Sequence, residues 1–133
     1  MIVCFDTNVL VSAVATRGLC ADVVNAALAE HQLVVSEAML AELRQVLQQK
    51  LRLPEPLIEE MDAFLRWHAT VIRAKSALDV RLRDVNDRML LAEAVTCKAD
   101  VLVTGDQDLL GIAAKVPIKI LSPRGFWELL RQG

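Results

Sequence analysis

Met1-Ile2-Val3-Cys4-Phe5-Asp6-Thr7-Asn8 opens the chain and decides how the rest of it is read. Ile2 to Phe5 is apolar without alternation, so the run has no polar face. A strand of that kind is buried on both sides, as in a parallel sheet covered by helices. In such sheets ligands sit just beyond the carboxyl ends of the strands. Asp6 therefore stands where chemistry is expected, and the question is which other side chains reach the same edge.

Working outward, the pattern alternates between short apolar runs and helical periodicity. Further strands are expected at 33–35, 70–72, 101–104 and 118–121. Helices are expected over 9–15, with Thr7 or Asn8 near the cap, and over 21–30. Ser36 caps a longer helix to about Lys50, with Met39, Leu40, Leu43, Val46 and Leu47 as its buried stripe. Pro54 and Pro56 stop it, and 57–68 forms the next helix with Leu57, Met61, Phe64 and Leu65 inward. Asp84 or Asn86 caps a helix carrying Met89, Leu90, Ala92, Ala94 and Val95. A short helix is expected at 109–115, and Ser122-Pro123 starts the last one. Strands alternating with helices define an α/β class with a mainly parallel sheet of about five strands.

The 133 residues suit one domain, 1–133, with no internal repeat and no linker. Hydrophobic residues make up 54% and charged ones 24%, which excludes disorder. No apolar run approaches the ~20 residues of a membrane span. No basic segment precedes an apolar block as in a signal peptide. Three cysteines without a CxxC spacing argue against a disulfide frame and for a reducing, cytoplasmic setting. Cys4 and Cys97 read as small core residues. A net charge of −2 is not that of a chain that coats nucleic acid by bulk charge, though a local basic rim is compatible with it.

Carboxylates recur where strands end or helices face the sheet: Asp6, Glu42, Asp87, Asp106 and Asp108. Each has an ordinary explanation alone. Asp87 in a first helical turn offsets the helix dipole, and Asp106 and Asp108 after Gly105 are common turn residues. Together they read differently. Asp6 and Asp106 both follow fully apolar strands, so parallel strands bring both to one sheet edge. Carboxylates gathered in one crevice repel, and they share a proton or bind a cation. Ligands that are all oxygen select Mg²⁺ or Mn²⁺ over zinc. Such an ion bridges to phosphate oxygens, activates water and stabilises a leaving oxygen, as in many nucleases.

Four blocks carry a resemblance to a known family. They are Asp6-Thr7-Asn8-Val9, Ser36 through Glu42-Leu43, Asp84-x-x-Asp87-x-x-Leu90-x-Ala92-x-Ala94, and Ala99-Asp100-x-Leu102-Val103-Thr104-Gly105-Asp106-x-Asp108-Leu109-Leu110. In that order they resemble the PIN domain, and more narrowly the bacterial PIN-family (VapC-like) ribonuclease toxins of toxin–antitoxin systems. The resemblance covers nearly the whole chain and implies a three-layer α/β/α fold. It implies a metal-dependent endoribonuclease with Asp6, Glu42, Asp87 and Asp106 as its acidic quartet and Asp108 as an accessory acid. Asn8 and Thr104 match polar residues that support the first acid and the metal water, and Thr7 joins them. Asp84 competes with Asp87 for the third place. Asp87 is preferred because Leu90 and Ala94 then follow at turn spacing. A homodimer and an antitoxin partner that buries the groove are further implications, with no membrane role.

An RNA substrate needs a positive approach, and Arg17, Arg44 and Arg88 are the nearest candidates, with Lys50, Arg52, Arg81 and Arg83 behind them. Taken singly, each reads as a solvated surface charge. Trp67 and the Phe126-Trp127 pair are able to stack on bases, but their helical setting assigns them to core or dimer contacts. Two other readings fit parts of the pattern. One is a non-catalytic PIN-like module that binds RNA or protein. The other is a phosphatase of the haloacid dehalogenase type with Asp6 as nucleophile, which wants a second Asp where Asn8 stands.

Overall fold

The structure, a computed structural model, describes residues 1–73, 94, 95 and 98–132. Its centre is a five-stranded parallel sheet: β1 Ile2–Phe5, β2 Gln32–Ser36, β3 Thr70–Ile72, β4 Val101–Val103 and β5 Lys119–Leu121, in the order β3-β2-β1-β4-β5. The helices are α1 Thr7–Ala15, α2 Leu19–Glu30, α3 Glu37–Gln49, α4 Glu55–His68, α5 Gln107–Gly111 and α6 Pro123–Gln132, with a 3-10 turn at Ala113–Lys115. They flank the sheet in three α/β/α layers. The expected helix through residues 84–93 lies outside the described residues, while Ala94 and Val95 are helical.

Sequence order explains the site's position. The chain begins in the middle of the sheet, builds β2 and β3 to one side, then returns to place β4 and β5 on the other. The crevice between the ends of β1 and β4 is the point where that order reverses, and such points hold ligands in open α/β sheets. Phe5 pairs with Val103, so the next residues on each strand, Asp6 and Thr104, leave the sheet side by side. The Asp6 amide still donates to Val103 O at 2.9 Å.

Burial explains why the strands run apolar. Val3, Cys4 and Phe5, Leu33 to Val35, and Val101 to Val103 are all essentially inaccessible. Phe5 and Phe126 meet edge to face, with ring centroids 6.0 Å apart, which locks α6 against β1. Phe126 is thus core, as its helical setting implied. Trp67 is the opposite: it is 85% exposed and belongs to no core. Ser36 caps α3 as expected, its hydroxyl accepting from the Met39 amide at 3.0 Å.

Two local expectations are corrected. The cap of α1 is Asp6 rather than Thr7 or Asn8, because the helix begins directly at the strand end. On α4 the buried residues are Ile58 and Leu65, with Met61 half-buried between them, and not Leu57 and Phe64. Ile58, Met61 and Leu65 keep helical spacing on one stripe. Leu57 and Phe64 are seven residues apart on a neighbouring one and remain 36% and 50% exposed. The helix meets α3 through ion pairs of Arg44 with Glu55 at 2.9 Å and Glu59 at 2.7 Å, and of Arg66 with Glu37 at 2.9 Å; Asp62, one turn back on the same helix, holds Arg66 at 2.8 Å.

Candidate metal centre

Asp6 is the one buried acid among the described residues. It is buried, with 7% of its surface exposed, at the end of β1. The Thr104 hydroxyl, fully buried at the end of β4, donates to its Oδ2 at 2.7 Å. The Asn8 amide donates more weakly to Oδ1 at 3.4 Å. Burial pushes the Asp6 carboxyl above the usual carboxylate range, and the charge of Asp106 adds to the effect. The Thr104 and Asn8 bonds pull it back. A carboxylate that is buried, repelled and only partly compensated is a place where a cation lowers the energy.

Thr104 serves both acids. While donating to Asp6, its oxygen accepts the Asp106 amide at 3.0 Å, which fixes the hydroxyl and the start of the Asp106 turn together. Asp106 then caps α5, its Oδ1 accepting from the amides of Asp108 at 2.8 Å and Leu109 at 3.2 Å. Asp108 is exposed in the first turn of α5. Its backbone, through that bond to Asp106, is what ties it to the site.

Glu42 arrives from a third direction. It lies on α3 beside buried Leu43, with its own side chain toward solvent. Its Oε2 accepts from the hydroxyl of Thr7 at 3.3 Å. Thr7 is buried in the first turn of α1 directly after Asp6. Sequence reading placed Thr7 near the site without finding this bond, since the pairing joins residues 35 positions apart.

Asp6 and Asp106 are thus linked through Thr104 at the ends of β1 and β4, and Glu42 on α3 is bonded to Thr7, the residue after Asp6. Asp84, Asp87 and Arg88 lie outside the described residues. Among the described residues no three carboxylate, imidazole or thiol groups stand close enough together to hold an ion. The donor chemistry, carboxylates with hydroxyls and amides behind them, is that of a hard divalent cation. Of the candidate RNA contacts, Arg17 is exposed in the turn after α1, whereas Arg44 is engaged by Glu55 and Glu59. Asn8 is exposed, and its backbone is the part that touches Asp6.

An apolar groove of about 310 Å³ lies between α1, α2 and α4, with Leu43 of α3 also in its lining. Leu10, Val14, Val24, Leu57 and Phe64 line it, and Glu60 is the charged residue among its described lining. The exposed Leu57 and Phe64 of α4 are its wall.

A parallel sheet of this order between helical layers, with Asp6 and Asp106 at its β1–β4 switch point, defines a PIN-like α/β/α protein. The PIN domain family matches residues 2–108, from the first strand to the acid after Asp106, and the chain belongs to that family. Among solved structures it is similar to VapBC2 from Rickettsia felis, crystallised bound to a DNA fragment from its promoter. The TM-score is 0.66 at 20% identity, covering 91% of this chain and 97% of that one. No curated protein sequence matches it. No single helix among the described residues is long and apolar enough to cross a membrane.

Proposed function

We propose that this chain is a divalent-metal-dependent endoribonuclease and the toxin of a toxin–antitoxin pair. The observation that carries the reading is the Asp6–Thr104–Asp106 unit. One hydroxyl holds the carboxylate of Asp6 and the backbone amide of Asp106 at the ends of neighbouring parallel strands, and the Asp6 carboxylate is strained electrostatically by burial and by the charge of Asp106. Asp6, Asp106 and Glu42, with Asp87 of the family-matched segment, would hold Mg²⁺ or Mn²⁺, and Asp108 would lie at the rim.

When bound, the ion would activate water, bridge to the scissile phosphate and neutralise the charge developing on it. The chain's own part is orientation. Thr104 fixes Asp6 Oδ2, and the Asp108 and Leu109 amides fix Asp106 Oδ1, so neither carboxylate needs to reorganise on loading. Glu42 accepts a proton from the attacking water or orients it. That water displaces the ribose 3′ oxygen and leaves a 5′ phosphate, with the proton passing to the 3′ alcohol. Arg17 and Arg88 are the proposed contacts to the RNA backbone.

The apolar groove supports the partner half of the proposal. Its exposed Leu57 and Phe64 would cover the apolar face of an antitoxin helix, with Glu60 facing a basic residue. A homodimer is proposed on the family resemblance alone.

The test is cleavage of a structured RNA pool by parent and Asp6→Asn protein in Mg²⁺, in Mn²⁺ and in EDTA. The parent should cut in either metal and stop in EDTA, and the variant should lose at least ~10²-fold in rate, the usual scale for removing a group that stabilises the transition state. Equal cutting by both proteins would remove the nuclease assignment. Binding of RNA without cutting by either would leave a non-catalytic PIN-like module.

A further inference from the structure

The three described members of the acidic quartet, Asp6, Glu42 and Asp106, are positioned by different devices. Asp6 is held from β4 by the Thr104 hydroxyl, and Asp106 by the amides of its own turn. Glu42 has no strand end or turn of its own. It stands on the solvent side of α3, and its longer side chain must be drawn across to α1. The group on α1 that does so is the Thr7 hydroxyl. Thr7 itself is 2% exposed and its backbone opens α1 immediately after the capping Asp6. Its hydroxyl is thus a buried polar group carried rigidly with Asp6 and aimed at Glu42.

We propose that Thr7 is the positioning residue for Glu42: it couples the α3 carboxylate to the β1–α1 junction and so sets the spacing between Glu42 and Asp6. This rests on the metal-dependent reading of the site. A buried Thr at the first helical position needs a partner for its hydroxyl. Giving that hydroxyl to Glu42 satisfies the buried donor and orders a side chain with three rotatable bonds before any ion arrives. The Thr7 hydroxyl donates the bond and Glu42 Oε2 accepts it at 3.3 Å.

The test is Mn²⁺ affinity of the full chain, read from free Mn²⁺ by electron paramagnetic resonance, with thermal melting alongside. Thr7→Val keeps the shape and removes the hydroxyl, Thr7→Ala is the second hydroxyl-free variant, and Thr7→Ser restores it. Loss of the hydroxyl should weaken Mn²⁺ binding about tenfold, the low end of the effect of groups behind a metal ligand, and Ser should recover most of it. In a Glu42→Gln background the same Thr7→Val change should cost no further affinity, because the carboxylate it positions is gone. Unchanged Mn²⁺ binding in Thr7→Val and Thr7→Ala would overturn the positioning role and leave the metal site standing. An equal loss in the Glu42→Gln background would also overturn it, since Thr7 would then be acting through the fold at large. Failure of the parent to bind Mn²⁺ would overturn the nuclease reading itself, and this inference with it.

Discussion

Asp6 ends β1, caps α1 and faces Asp106, and the three duties pull on its protonation in different directions. Its carboxyl titrates above the ordinary value of 3.8, chiefly through burial. The sign follows from linkage. A carboxyl whose folded pKa is raised contributes its stability below the unfolded value and loses it as pH rises through the folded one. In metal-free buffer Asp6→Asn should therefore melt higher than the parent at pH 7, and the gap should close below about pH 3.8. Melting curves across pH check this, and a variant less stable than the parent at neutral pH would contradict it. Thr104 is the other decisive residue. Thr104→Val removes a bond to a charged group and leaves the half-buried Asp106 amide without its hydroxyl partner, at about 1.5–3 kcal/mol by denaturant unfolding. Thr104→Ser should retain most of that stability. Asp6 was legible from sequence because an apolar run that ends in a carboxylate is a local pattern. The Thr7–Glu42 bond was not, because hydroxyl pairing across 35 residues leaves no periodic trace.

At the scale of elements, α4 shows where sequence reading was incomplete. Leu57, Ile58, Met61, Phe64 and Leu65 are too many apolar positions for one helix stripe. Sequence reading merged two stripes into one. The Arg44 and Arg66 ion pairs seat Ile58 and Leu65 against α3 and leave Leu57 and Phe64 to wall the groove. Ile58→Ala should cost about 2–5 kcal/mol in unfolding free energy, whereas Phe64→Ala should stay within about 0.5 kcal/mol, as a surface change does. Equal costs would restore the merged stripe. The strands were easier to read. A doubly covered strand has no choice of face, so Ile2–Phe5 and Val101–Val103 run apolar throughout and announce themselves. The short α5 and the 3-10 turn after it were expected as one helix over 109–115, but the Asp106 cap starts the helix at Gln107 and Gly111 ends it.

Over the whole molecule, the strand order turns scattered acids into a site. With β1 and β4 adjacent and parallel, Asp6 and Asp106 must share an edge, and the class of fold follows from the same alternation of strand and helix. Sequence could anticipate the edge but not the neighbour relation, since pairing of β1 with β4 is a long-range choice made after the chain has built β2 and β3. The apolar groove belongs to this scale too, because α1, α2 and α4 each give only part of it. Phe64→Asp should abolish capture of a cognate antitoxin while leaving RNA cleavage intact, which a pull-down and a cleavage assay on one preparation would show. The most direct measurement is a crystal of this protein grown with Mn²⁺ and mapped by the metal's anomalous scattering. A peak about 2.0–2.2 Å from oxygens of Asp6 and Asp106 is the predicted result. Mn²⁺ bound elsewhere on the surface, with those two carboxylates bare, would contradict it.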